Sequence, residues 1–273
     1  MEVIRTAIYD VVTENKPMTV RQVFYQLVTL GVIPKTEISY KNIVVRQSGR
    51  MRRDCELPFS WIADNTRWMR KPTTYGSLEG ALQHTAKTYR RALWNEQDAY
   101  VEIWLEKDAL AGVLYDVTEE WDVPLMVTRG YPSLSYLHTA AESLMAENRS
   151  CFIYYFGDHD PSGVDIPRKI EADLRTFAPD TDLHFQRVAV NPDQIEKWGL
   201  QTRPTKRTDS RAKNFAGASV EVDAIPPAKL RELCRRCIER HIDEQQLQRT
   251  AKAELLERET LNTILGNFRK GVA

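Results

Sequence analysis

The 273-residue sequence has no long apolar run. Its longest, Cys151 to Gly157 (CFIYYFG), is of strand length and falls far short of the roughly 20 residues a membrane-spanning helix needs. The N-terminal MEVIRTAIYDVV carries charges inside an amphipathic pattern, unlike a signal peptide, so a cytoplasmic protein is expected. Net charge is also missing: 38 Lys and Arg balance 38 Asp and Glu, which argues against a uniformly polybasic nucleic-acid coat. Cysteine is scarce. Of Cys55, Cys151, Cys234 and Cys237, only the last two form a C-x-x-C, within the helical pattern LRELCRRCIERHI. Without a second pair nearby or a preceding strand, this reads as a reduced thiol pair rather than a zinc or redox site. There is no G-x-x-x-x-G-K-[ST], hence no P-loop ATPase, and no internal repeat.

What is present is an uneven distribution of charge. Between Lys41 and Lys71 the bases Lys41, Arg46, Arg50, Arg52, Arg53, Arg67, Arg70 and Lys71 face only Asp54, Glu56 and Asp64. From Val101 to Ala178 acids outnumber bases. A polyanion-binding part beside a cation-binding part is the expectation.

Periodicity predicts a helix from Met1 to about Asn15, broken at Pro17. Thr19 followed by Gln22 is a capping-box signature, which starts a second helix (VRQVFYQLVTL) ending at Gly31. A basic third helix is expected over Glu37 to Arg53, then a short strand or wing in ELPFSWIADNTR. That order matches a winged helix-turn-helix, whose third helix enters the DNA major groove. The residues at its groove face are Lys41, Arg46, Arg50, Arg52 and Arg53. A linker from Lys71 to Leu78 and a helix from Leu78 to Asn95 follow. Beyond Ala99, strand patterns (YVEIWL, VPLMVT, CFIYYF, LHFQRVAV) alternate with helical ones. The fold class is therefore α/β, a parallel sheet with helices on both faces and a helical C-terminus from Ala228 to Phe268. The domain reading is 1–71, a winged-helix DNA-binding domain; 72–98, linker and connecting helix; and 99–273, the sheet domain with its extension.

Active sites of such sheets lie beyond the carboxyl ends of the strands. There YVEIWL runs into Glu106 and Lys107, and CFIYYF into GDHDPSG with Asp158 and Asp160. Three carboxylates on one edge repel unless a cation joins them, and a few hard oxygen donors at an open site suit Mg²⁺, with one or two ions. Two of these acids also have a local reading. Asp160 before Pro161 is a good helix N-cap, and Glu106 could pair with Lys107 or Arg129.

EIWLEKDALAGVL, TRGYPS and YYFGDHDPSGVDI together resemble the Toprim domain of topoisomerases and primases. The pairing of EKDA with GDHDPSG resembles the A subunit of topoisomerase VI (type IIB) and its meiotic relative that makes double-strand breaks. The likeness covers about Val101 to Arg175 and implies that Glu106 is an acid/base carboxylate, that Asp158 and Asp160 hold Mg²⁺, and that Lys107 assists. RQVFY fits that family's R-x-x-[FYI]-Y motif on the preceding winged helix, which makes Tyr25 the nucleophile forming a 5′-phosphotyrosyl link, with Arg21 beside it. The resemblance further implies double-stranded DNA as substrate, a homodimer in which the tyrosine of one protomer serves the metal of the other, a separate ATPase subunit and association with the nucleoid. Ser162 departs from the bulky residue usual after the proline. Two other readings stand beside this one: a hydrolytic Toprim nuclease, as in plasmid or phage defence, with Tyr25 structural, and a DNA-binding protein with a vestigial site.

Overall fold

The computed structural model describes residues 2–63, 72–205, 215 and 217–272. Three helical segments open the chain: α1 (Glu2–Asn15), α2 (Val20–Thr29), and a helical stretch whose wider turns over Ser39–Val45 continue into α3 (Arg46–Arg53). The capping box forms as its spacing predicts. The Thr19 hydroxyl accepts from the Gln22 backbone N–H at 3.1 Å, and the Gln22 side chain accepts from the Thr19 N–H at 3.0 Å. The described part of the expected wing is a single turn at Phe59–Trp61, followed by one parallel bridge between Ile62 and Met18. Residues 64–71, including the bases Arg67, Arg70 and Lys71, lie outside the described residues.

The next helix, α4 (Leu78–Thr88), stops short of the expected Asn95. Tertiary anchoring overrides local propensity here. Trp94 is buried and donates its indole N–H to the Trp121 carbonyl at 2.8 Å, and the Arg149 guanidinium takes the Gln97 carbonyl at 2.9 Å.

The remainder alternates: β1 (Ala99–Leu105), α5 (Ala111–Glu120), β2 (Leu125–Val127), α6 (Leu134–Ala146), β3 (Ser150–Phe156), α7 (Pro161–Phe177), β4 (Leu183–Ala189), α8 (Pro192–Lys197), α9 (Pro227–Glu239) and α10 (Glu244–Val272). The four strands form one parallel sheet in the order β2-β1-β3-β4. Alternation along the strands sorts the sheet into two cores. Val101, Ile103, Leu105, Tyr154 and Phe156 pack with α5 and α9 on one face, and this core runs on into α1 and α2 through Ile8, Val12, Phe24 and Leu27. Trp104, Ile153 and Tyr155 pack with α6 and α7 on the other. Helices thus cover both faces, and α9 is part of the cover. The C-x-x-C thiols Cys234 and Cys237 are free and buried in α9, and burial pushes Cys237 up to about 11, as suits inert core thiols. Among the described residues no helix is long and apolar enough to cross a membrane.

Candidate active site at the carboxyl edge of the sheet

β1 and β3 are adjacent and in register from Ala99 with Ser150 to Leu105 with Phe156, so their next residues meet. The Glu106 carboxylate accepts the Asp158 backbone N–H at 2.9 Å and the Tyr155 hydroxyl at 3.4 Å. A glycine is required between them. A Cβ on Gly157 would lie 2.5 Å from the Glu106 Oε2, and one on Gly163 would lie 2.2 Å from the Asp158 carbonyl oxygen. Burial, then the neighbouring Asp158, pushes the Glu106 carboxyl up to about 7.

Asp158 and Asp160 take different roles. Asp158 Oδ1 accepts the Val222 N–H at 2.8 Å and lies 3.1 Å from Lys107 Nζ. Asp160 caps α7, accepting the Gly163 N–H at 2.8 Å through Oδ1, while its Oδ2 meets Arg203 at 3.3 Å. Its local reading as an N-cap therefore holds. Glu106 finds neither of the partners its local reading offered: Arg129 pairs with Asp108 at 2.8 Å, and Lys107 turns to other acids. The donor set of Glu106 and Asp158 suits a hard cation in kind, being all oxygen and sharing one edge. Asp160 would first have to give up Arg203. Among the described residues no three His, Cys, Asp or Glu side chains are arranged to hold a metal ion.

Three residues outside the expected set complete the edge. Glu221 and Asp223 follow the polar, basic stretch Thr202 to Phe215 (TRPTKRTDSRAKNF), and Arg203 comes from its start. Lys107 Nζ lies 2.7 Å from Asp223, 3.1 Å from Asp158 and 3.3 Å from Glu221. Burial pulls the Lys107 pKa down, but these three carboxylates outweigh it and raise it, so the ammonium stays charged. Arg187 donates to the Asp158 carbonyl at 2.6 Å from behind. The only sequence signal for Glu221 and Asp223 was two acids interleaved with buried valines in SVEVDAI. The remaining bases of the Thr202 to Phe215 stretch, Lys206, Arg207, Arg211 and Lys213, lie outside the described residues.

The tyrosine helix docks on this same edge. Thr19 donates to Asp223 Oδ1 at 3.4 Å, and Arg21 Nε lies 3.5 Å from Glu221 Oε2. Arg21 also stacks over Tyr40, 4.1 Å from the ring centroid, and pairs with Glu37 at 3.5 Å. Tyr25 is only 4% exposed, packed edge-on against Phe24 with the Lys35 ammonium 5.4 Å from its ring. Burial, then the negative Glu221, raises its phenol above the ordinary value near 10, while Arg21 and Lys107 pull it down.

The expected DNA-facing bases lie elsewhere, on the third helical segment. Lys41, Arg46, Arg50 and Arg53 are exposed, whereas Arg52 is half-buried, donating to the Ser48 carbonyl at 3.3 Å and lying over Phe59. Compared with known proteins, the chain matches no family model, and no curated protein matches it.

Proposed function

We propose that this chain cuts double-stranded DNA by phosphoryl transfer at the carboxyl edge of its sheet, with Tyr25 as nucleophile. The observation that carries the reading is the link through Glu221. One carboxylate oxygen lies 3.5 Å from Arg21, on the tyrosine helix, and 3.3 Å from Lys107, next to Glu106. The helix that carries Tyr25 thus meets the acidic edge within a single chain, which supports reading the two as sides of one site. In the resembled family the same parts come from different protomers, and a homodimer here would set two such sites on a duplex.

In this reading the first helices act as a winged helix-turn-helix, and the exposed Lys41, Arg46, Arg50 and Arg53 contact phosphates. Arg21 and Lys107 hold the scissile phosphate. Glu106, 2.9 Å from the Asp158 N–H at the edge, accepts and returns the proton of the reacting hydroxyls as a positioned carboxylate can. Glu106 and Asp158 would hold Mg²⁺, joined by Asp160 on release from Arg203. Such an ion, when bound, would supply charge stabilisation for the phosphoryl oxygens. The phosphotyrosyl bond conserves the energy for resealing; strand passage would need a separate ATPase subunit, and the substrate implies a nucleoid location.

One observation favours a second reading, hydrolysis by water with Tyr25 structural: the phenol is buried and its pKa is raised. A single experiment separates the two. Wild type and Tyr25→Phe are incubated with duplex DNA and Mg²⁺, denatured, and resolved for a covalent protein–DNA adduct. An adduct in wild type, absent in a Tyr25→Phe protein that melts normally, is expected. Equal cutting by both proteins with no adduct assigns the reaction to water.

A further inference from the structure

Glu221 is a carboxylate ringed by cations from three separate parts of the chain. Arg203 Nη1 lies 2.6 Å from its Oε1; Lys107 Nζ and Arg21 Nε lie 3.3 and 3.5 Å from its Oε2. The Glu221 side chain is 8% exposed, whereas those of Arg203, Arg21 and Lys107 are 33%, 29% and 25% exposed, so the carboxylate sits behind cations that reach solvent. Burial opposes its ionisation, yet Lys107, Arg21 and Arg203 hold it below the ordinary carboxylate range. Two arginines and a lysine converging on a pair of oxygens is also how proteins take hold of a phosphate, with arginine forks for its oxygens and lysine as a point charge. A phosphodiester offers the same unit charge on two non-bridging oxygens.

We propose that Arg21, Lys107 and Arg203 form a phosphodiester-binding site and that Glu221 is its built-in occupant, so a substrate phosphate enters by displacing that carboxylate. The choice of DNA as the phosphate's source rests on the function proposed above; the anion site itself does not. The exchange needs only the Glu221 side chain to move. Val220 on one side is paired with His159 through two 2.8 Å hydrogen bonds, and Val222 on the other donates to Asp158, with both valines buried. The backbone carrying Glu221 is therefore pinned at both flanks while its carboxylate is exchangeable. A phosphate in its place would lie between the Tyr25 helix and the Glu106–Asp158 edge, where phosphoryl transfer requires it.

The test uses the full chain in EDTA, with a fluorescein-labelled duplex oligonucleotide followed by anisotropy and with inorganic phosphate followed by thermal melting. Glu221→Gln is expected to bind the duplex at least about tenfold more tightly than wild type, in line with freeing charge-assisted donors. Its salt dependence should steepen by about one counterion. Glu232→Gln, an equal charge change on the exposed side of α9, should leave affinity unchanged, and Arg203→Gln added to Glu221→Gln should cancel the gain. Inorganic phosphate should raise the melting temperature of Glu221→Gln and not that of wild type. A folded Glu221→Gln that neither binds the duplex more tightly nor responds to phosphate overturns the inference. A phosphate response in a protein whose variants all ignore duplex DNA keeps the anion site and removes the DNA reading. Should Glu221→Gln fail to fold, Glu221→Asp keeps the charge with a reach one methylene shorter. It is then expected to bind the duplex several-fold more tightly than wild type, and equal affinities overturn the proposal.

Discussion

Glu106 and Lys107 are neighbours in sequence with opposite electrostatic fates. Glu106 keeps its proton in the folded state up to about pH 7, against about 4.5 for an unperturbed glutamate. A carboxyl raised in this way contributes stability that is complete below the unfolded value and is lost as pH rises through the folded one. In EDTA, Glu106→Gln should therefore gain stability relative to wild type between pH 5 and 8, by roughly 2–3 kcal/mol. Urea unfolding of the two proteins across that range would check this, and a constant difference would refute it. The same variant should cut DNA at least about a hundredfold more slowly, as loss of general acid–base catalysis implies. Lys107 is the reverse case. Lys107→Met would strand Asp158, Glu221 and Asp223 without their shared ammonium, and a loss of about 3–5 kcal/mol at pH 7 is expected in the same unfolding assay.

At the scale of single elements, local chemistry was legible wherever the partner lay within a turn or two. The Thr19–Gln22 box, the Asp160–Pro161 cap and the strand alternation all depend on neighbours three residues away or fewer, so the sequence carries them openly. The edge formed by Glu106 and Asp158 was legible too, because strand ends in a parallel sheet share one side. Glu221, Asp223 and Arg203 were not: the two acids take their meaning from Lys107, 114 and 116 residues away, and Glu221 also from Arg21, far earlier in the chain, while Arg203 takes its own from Glu221 and Asp160, 18 and 43 residues away. The end of α4 was misread for the same reason: a buried tryptophan, not a local breaker, decides it. The β3–α7 turn gives a sharp prediction. Gly163→Ala drives a methyl into the Asp158 carbonyl, so the turn must open and carry Asp158 away from Lys107. Cutting should fall below detection while the melting temperature drops by several degrees, about what 1–3 kcal/mol implies for this size. An active, stable Gly163→Ala would contradict the geometry.

For the whole molecule, the basic surface and the acidic edge are separate regions of one body with no net charge. DNA affinity should therefore depend on salt through the exposed third helical segment. Replacing Arg46, Arg50 or Arg53 singly with Gln should weaken binding without altering sequence preference. Each change should lower the salt slope by about one, measured by anisotropy from low to moderate ionic strength. Unchanged slopes would move the DNA path elsewhere. The seating of the tyrosine helix has one more consequence, in the order of events as the chain is made. Thr19 reaches Asp223, and the Arg231 guanidinium holds the carbonyls of Asn15 and Pro17 at 3.0 Å, contacts that join the first residues to some of the last. A nascent chain that has emerged only as far as β4 already carries Tyr25, Glu106, Asp158 and Asp160, yet it lacks the segment that brings the tyrosine to the acids. The ribosome thus releases the tyrosine helix and the segment that seats it on the acidic edge well apart in time, and they close on each other only once synthesis has passed α9.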